Sequence, residues 1–198
     1  MASQVQIAKL ALQHIGDRYD ISDLTEESTE AEQINLVFDD TRDEMLRRYP
    51  WRFAKKYISP STLSGITVPG LWDFAYQYPS DAVKIRGITN PLGIDVEPID
   101  FEVALLQDDT KVLLTNQDDA EFFYTSRVTD TTRFDPEFTM AFSFLLAARV
   151  AMSLTGSLDI KSALDQEVLR IVSHAADTDS SEGRNRDAPE ASWIDARA

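Results

Sequence analysis

The chain contains no cysteine and only two histidines among its 198 residues. Without cysteine it forms no disulfide, holds no thiolate-bound metal and has no cysteine nucleophile. The histidines, His14 and His174, have no second histidine at a ligand spacing, so we expect both to have a structural or surface role. The seven glycines never fall in a phosphate-binding pattern, and Gly-x-Ser-x-Gly is absent. The sequence therefore predicts no metal, no cofactor and no catalytic site.

Basic residues are scarce as well. Lys and Arg number 19 against 34 Asp and Glu, which gives a net charge of −15 and a pI near 4.4. This charge repels nucleic acid at long range, so a DNA-reading role is not expected, although a passive channel for DNA is compatible with it. The N-terminus lacks the pattern of a signal peptide. The most apolar window, 138–154, is short and contains Arg149, so no membrane span is predicted.

Helical periodicity marks the N-terminal quarter of the chain. Residues 4–16 repeat apolar side chains at helical spacing. A second helix is predicted to begin near Ser28 or Thr29, because Thr29 and Glu32 have the spacing of a capping box. Pro50 is expected to end it, because proline cannot continue a helix.

Helices return near the C-terminus. Asp135 and Pro136 together predict an N-cap followed by proline at the first helical position. Residues 138–154 are apolar on every side, which indicates either a central core helix or a helix whose outer face a neighbouring subunit covers. Gly156 ends this helix, and the short link to the next one, at 160–175, predicts that the two are antiparallel neighbours.

The middle of the chain changes to strands and loops. Residues 111–115 and 121–128 flank a polar run and are predicted to form a hairpin. Alternating or paired apolar residues predict further strands at 72–78, 83–85 and 94–96.

These patterns predict an α+β fold that is mainly α. The N- and C-terminal helices, within 1–54 and 129–177, are expected to form a four-helix bundle, with a β-rich insertion lobe at 55–128. Residues 178–198 are polar and aperiodic, so they are predicted to form an extended C-terminal tail that needs a bound partner to become ordered.

Two clusters of side chains merit separate predictions. Asp39, Asp40, Asp43 and Glu44 could hold a divalent ion, but the favoured interpretation is that they form solvated ion pairs, Asp43 with Arg47 and Glu44 with Arg48. Three residues after Pro50, here called the lobe junction, are expected to anchor the turn from helix to lobe, with the two aromatic rings buried. They are Trp51, Arg52 and Phe53.

Four segments of the chain, in order, resemble a known family. Residues 35–55 read NLVFDDTRDEMLRRYPWRFAK, in which a Y/F-D-x-x-R-D-x-x-L-R helix is followed at once by P-W-x-F-A. Residues 8–16, AKLALQHIG, precede an acidic segment; 71–88 read LWDFAYQYPSDAVKIRGI; and 134–157 read FDPEFTMAFSFLLAARVAMSLTGS. Together they resemble the head-to-tail adaptors called tail tubular protein A of short-tailed bacteriophages, over roughly residues 5 to 177.

The resemblance implies a structural virion protein and not an enzyme. Members of that family form a dodecameric ring between the portal protein and the tail nozzle protein, through which the genome passes, at the portal vertex of the virion. Assembly takes place in the host cytoplasm. No membrane, cofactor or metal is implied.

In related adaptors the C-terminal segment reaches along the portal, and here that segment is 180–198. Tryptophan and arginine are common interface anchors. The portal-binding residues predicted in this tail are Arg184, Asn185, Arg186, Trp193, Ile194 and Arg197. An alternative is that Trp193 packs back on its own bundle.

Two other functions compete with this prediction. One is a connector of another phage type, such as a long-tailed phage. The other is an adaptor with peptidoglycan-hydrolase activity, which would need a proton-donating carboxylic acid and a second, stabilising carboxylate.

Overall fold

The computed structural model describes residues 3–16, 20–65, 68–90 and 97–181, and within them the fold is mixed α+β. The described part contains four α-helices and two three-stranded antiparallel sheets. The helices are α1 (Gln4–Ile15), α2 (Thr29–Arg48), α3 (Pro136–Thr155) and α4 (Leu158–Ser181). The strands are β1 (Lys55–Ile58), β2 (Phe74–Gln77), β3 (Ala82–Ile88), β4 (Phe101–Leu105), β5 (Lys111–Thr115) and β6 (Phe122–Ser126).

The helix ends follow local chemistry with one correction. The predicted start of α3 is confirmed, since Asp135 accepts a hydrogen bond from the Phe138 amide, and Gly156 ends the helix in a left-handed conformation. The predicted capping box at Thr29 is wrong. Ser28 is the N-cap of α2, because its extended backbone lets its hydroxyl accept from the amide of Ala31.

Helix α3 lies at the centre of the helical part and contacts α1, α2 and α4. Its buried residues surround the axis, as the all-round apolar pattern predicts, and include Phe138, Phe142, Leu146 and Val150. The predicted contact between α3 and α4 across the short link is confirmed. Only a few large side chains of α3, such as Met140 and Met152, are exposed.

The predicted hairpin of 111–115 and 121–128 is wrong, because the two strands belong to different sheets. One sheet has the order β1-β6-β3 and the other β2-β5-β4. The link between β5 and β6 is held by Tyr76, whose hydroxyl donates to the Gln117 carbonyl and accepts from the Ala120 amide. These bonds fix the link beside β2, and Ala120 is buried between the sheets. The chain therefore crosses from one sheet to the other instead of turning back on itself.

The two sheets share a core of their own. Tyr76 and Leu113 from one sheet pack with Ile85, Phe122 and Tyr124 from the other. Strands β1 and β4 were not among the predicted strands, and the predicted strand at 94–96 lies outside the described residues. Helix α4 extends to Ser181 and thus enters the range 178–198 that was predicted as tail.

Candidate functional site

The end of α2 is the place where the helical core meets the sheets. Tyr49 has an extended backbone, so the helix ends at Arg48, two residues before Pro50, in agreement with the predicted end at this proline. Trp51 is 2% exposed, and its indole nitrogen donates a 3.0 Å hydrogen bond to the Met45 carbonyl. Its ring meets Tyr49 and Phe138 edge to face. The predicted burial of Trp51 is confirmed, and its contacts are those of a core corner within one chain.

The other two residues of the lobe junction are less enclosed. Phe53 is half-buried, with its ring 5.0 Å from that of Phe138 and 5.7 Å from that of Phe134, measured between centroids. Arg52 is exposed. The prediction is therefore confirmed in full for Trp51 and only in part for Phe53. Together the aromatic rings fix the short turn after α2 against the first turn of α3.

Arg86 on β3 closes the end of α2. One of its terminal nitrogens lies 3.0 Å from each of three carbonyl oxygens, those of Leu46, Arg47 and Tyr49. Its Nε donates to the hydroxyl of Thr125, 2.9 Å away. The last carbonyls of a helix have no partner within the helix, and here a strand residue supplies the donors. Burial, with a smaller effect of Arg47, lowers the pKa of Arg86 from its ordinary value.

Three more bonds tie α2 and the segment that follows it to the sheet. Arg47 donates to the Val83 carbonyl at 2.5 Å, and Arg127, which follows β6, donates to Asp43 at 2.7 Å. Ser126 donates to the Ala54 carbonyl at 2.9 Å. The helical part and the sheet thus meet through hydrogen bonds as well as through apolar packing, which makes the junction directional.

The acidic cluster of α2 is paired with arginines, but not entirely as predicted. The Glu44–Arg48 pair is confirmed at 2.7 Å, and Glu44 also contacts Arg149 on α3. The Asp43–Arg47 pair is wrong. Asp43 instead binds Arg42, at 2.8 Å, and Arg127. The reason is that Arg47 turns towards β3, whereas Arg127 reaches Asp43 from the sheet.

Burial and pairing act in opposite directions on Glu44. Burial raises the pKa of its carboxyl, but the hydrogen bonds from Arg48 and Arg149 outweigh this effect, and the pKa is lowered overall. The two arginines therefore favour the charged form of the Glu44 carboxyl. Within the described ranges, no group of three or more His, Asp or Glu residues is arranged to hold a metal ion.

Strand β3 makes these contacts because its pairing with β6 has two irregularities in register. The first irregularity lies between Ala82 and Lys84, and the second between Ile85 and Gly87. At each irregularity the extra residue of β3 contacts the helices. Val83 packs in the helical core, and Arg86 caps α2. Bulges commonly re-aim side chains in this way. Sequence reasoning did not identify Arg86. No glycine follows α2 to help satisfy its last carbonyls. The sequence therefore indicated that these carbonyls need hydrogen-bond donors from elsewhere in the chain.

The two histidines lie in different surroundings. His14 is half-buried between α1 and α3, with Nε2 3.0 Å from the Ser143 hydroxyl and its ring stacked on Phe144. Burial lowers the pKa of His14 from its ordinary value of 6.5, and Glu167 opposes this shift weakly. His174 is exposed on α4 near Glu137. The expectation of a structural or surface role fits both environments.

Helix α3 is, in the described part of the chain, the one helix whose length and composition would suit a membrane span. More than half of the span in question is buried inside the protein, where α1, α2 and α4 contact the helix. Its apolar character is thus accounted for by the core.

The predicted portal-binding residues all lie outside the described residues. They are Arg184, Asn185, Arg186, Trp193, Ile194 and Arg197. The site that the structure does describe is the contact between α2, the lobe junction and β3.

A scan against protein-family models found no family that matches this chain. A search of curated proteins found no significant match either.

Proposed function

We propose that this chain is a subunit of the head-to-tail adaptor ring of a short-tailed bacteriophage. In this role it is a structural virion protein and not an enzyme, and it joins the portal to the tail nozzle at the portal vertex. The ring is a dodecamer that assembles in the host cytoplasm, and DNA passes through it without specific binding. The finer architecture belongs to the proposal too: a four-helix bundle, a lobe at 55–128 and an extended tail.

The proposal is carried by the order of four segments that resemble the adaptors, and one of them coincides with the described site. Residues 35–55 run along α2 and through the lobe junction. There Trp51 and the carbonyls capped by Arg86 hold helices and sheets together. A ring subunit that links two neighbours must transmit force between its parts without bending. A directional, hydrogen-bonded junction suits this requirement better than a flexible linker.

The charge of the chain supports the same role. With 34 acidic and 19 basic residues, a wall built from these subunits has a surplus of negative charge. A DNA exit must let the genome slide past, and repulsion of phosphates prevents tight binding. A lumen lined mainly by Lys and Arg would contradict this part of the proposal.

We assign portal binding to the C-terminal tail. Trp193 and Ile194 form an apolar pair within a polar stretch, and Arg184, Arg186 and Arg197 can each pair with a portal carboxylate. A segment that becomes ordered on binding needs such anchors to offset its loss of chain entropy.

Deletion of 182–198 tests the assignment and leaves the described helix α4 complete. We expect the truncated protein to keep its melting temperature and to lose attachment to portal rings from the same phage, measured by co-sedimentation. Trp193→Ala should weaken attachment in the same direction, and Trp72→Ala, in the lobe, is the matched control. Early unfolding of the truncated protein would show that Trp193 packs on its own bundle, and full attachment would show that the tail is not the anchor.

Electron microscopy of the portal vertex tests the function itself. A ring of this chain between portal and nozzle is the expected result. A ring beneath the head of a long-tailed particle would indicate a connector of another phage type. Clearing of a peptidoglycan suspension by the purified protein would contradict the assignment as a non-enzyme.

A further inference from the structure

Acidic and basic residues are separated along the chain. Residues 20–40 contain eight Asp or Glu and no Lys or Arg. Residues 47–58 contain five Lys or Arg and no acidic residue. A chain with a net charge of −15 therefore has one stretch of sequence whose charged residues are all positive.

The two regions lie towards opposite ends of α2. Glu32 is in its first turn and Arg48 in its last. At 1.5 Å per residue, Arg48 is about 24 Å along the helix from Glu32 and about 12 Å from Asp40. Both distances exceed the Debye length of about 8 Å at physiological ionic strength. Within the basic segment, Arg48 is already paired with Glu44 and Lys56 with Asp81. A surface for an outside charge therefore has to be formed by other cations of the neighbouring sheet.

A basic surface, here called the basic face, lies on the sheet formed by β1, β6 and β3. Its residues are Lys55 and Tyr57 of β1 and Lys84 of β3, all exposed. Lys55 and Lys84 are both in register with Thr125 of the central strand, on either side of it. The Lys55 ammonium lies 4.9 Å from the ring centroid of Tyr57 and 4.8 Å from that of Phe123. Tyr57 is 56% exposed, so the face combines cations with a large apolar ring.

The opposing region, here called the acidic stripe, runs along the solvent side of α2. Glu32, Leu36 and Asp40 are four residues apart, share one face of the helix and are exposed. The core side of the same helix carries Ile34 and Phe38. Leu36 is 73% exposed and lies between the two carboxylates. The stripe thus mirrors the basic face: charge of the opposite sign around one apolar side chain.

We propose that the basic face of one copy docks on the acidic stripe of the next copy. Each subunit carries both surfaces, and like surfaces repel, so the contact joins unlike ends. A head-to-tail contact of this kind repeats and closes into a ring when the rotation allows it. DNA is the less favoured occupant of the basic face, because the strong net negative charge of the chain repels it at long range.

This inference rests on the proposed function, since an adaptor ring needs a repeating contact between copies. Its test does not involve the portal. Failure of portal attachment would count against the proposed function, and failure of docking between copies would count against this inference, so the two results can be distinguished.

Engineered cysteines provide the test, because the chain has none of its own. One protein carries Leu36→Cys and another Tyr57→Cys. We expect a concentrated mixture of the two to form disulfide-linked heterodimers on oxidation, while each protein alone forms few dimers. A chain with both substitutions should form a ladder of multimers. Leu71→Cys with Leu169→Cys is the control, since both leucines are exposed outside the proposed surfaces. A ladder no stronger than that control, or self-linking of either single variant, would overturn the proposal.

Charge reversal tests whether the cross-link depends on the proposed pairing of charges. Lys55→Glu with Lys84→Glu, added to the Tyr57→Cys protein, should lower the heterodimer yield roughly tenfold or more. Glu32→Lys with Asp40→Lys in the partner should restore it. Linking should also fall in about 1 M NaCl, where the Debye length is about 3 Å. If reversal leaves the yield unchanged but abolishes binding of a duplex DNA oligonucleotide, the face is a DNA contact and the proposal is wrong.

Discussion

Trp51 shows how one residue can serve two parts of a molecule. Its ring lies against Phe138 of the central helix, and its indole nitrogen satisfies a carbonyl near the end of α2. Buried tryptophan needs such a partner for its N–H group. The same side chain therefore completes the helical core and fixes the direction in which the chain leaves it.

Replacement of Trp51 should be costly. Trp51→Ala removes a buried ring and leaves a cavity, so we expect the free energy of unfolding to fall by about 3–5 kcal/mol. Chemical denaturation with fluorescence or circular dichroism measures the change. Trp72→Ala is the control, because Trp72 is only half-buried and should cost clearly less. Equal losses for the two variants would contradict the anchoring role of Trp51.

His14 is a second residue whose surroundings set its behaviour. Partial burial disfavours the charged imidazolium, so the pKa of His14 lies below 6.5, although Glu167 opposes the shift. The unfolded chain then binds a proton at a higher pH than the folded chain does. Between the lowered pKa and 6.5, the unfolded state holds more protons, and stability increases as pH rises through this window.

The free energy of unfolding should therefore decline as pH falls below about 6.5. In His14→Gln this contribution is absent, so the decline should be shallower, as measured by denaturation at a series of pH values. His174→Gln is the matched control, because that side chain is exposed on α4. A decline of the same steepness in wild type and His14→Gln would show that another group is responsible.

Helix α2 is stabilised by hydrogen bonds at both of its ends. At its start, the Ser28 hydroxyl accepts from Ala31, 3.2 Å away, and donates to Glu26, 2.7 Å away. At its other end, Arg86 and the Trp51 indole supply donors from later in the chain. The N-terminus of α2 is thus capped by a neighbouring residue, and its C-terminus by residues that the tertiary structure brings to it.

The corrected cap can be tested by a pair of adjacent substitutions. Ser28→Ala should lower the free energy of unfolding by about 0.5–2 kcal/mol, the usual effect of losing an N-cap. Thr29→Ala should change it little, because Thr29 is exposed in the first turn. Urea midpoints of the two variants provide the comparison. A larger effect at Thr29 would restore the capping box that the sequence pattern suggested.

For the whole molecule, net charge and charge separation act against each other. A charge of −15 on each copy opposes association in dilute solution, whereas the basic face and the acidic stripe favour one defined contact. A template that holds copies side by side raises their effective concentration and tips this balance.

Assembly should accordingly depend on the portal. We expect the free protein to sediment as a monomer in dilute buffer of low salt and to form rings when portal rings are added. Analytical ultracentrifugation with and without portal distinguishes these states. Stable rings of the free protein under the dilute condition would contradict the template requirement.

Much of the helical part could be predicted from the sequence. The spacing of apolar residues placed α1 to α4, and Asp135, Pro136 and Gly156 marked the ends of α3, because periodicity and capping act over a few neighbouring residues. The same local reasoning found Trp51 after Pro50. It also found the Glu44–Arg48 pair, whose partners are one helical turn apart.

The tertiary structure decided the contacts between residues far apart in the chain. It placed β5 and β6 in different sheets, gave Asp43 to Arg127 instead of Arg47, and brought Arg86 to the end of α2. Which strand pairs with which, and which donor reaches an open carbonyl, depends on how sheets pack and where a strand bulges. Local patterns cannot fix these choices, because their free energy comes from partners that meet only in the folded chain.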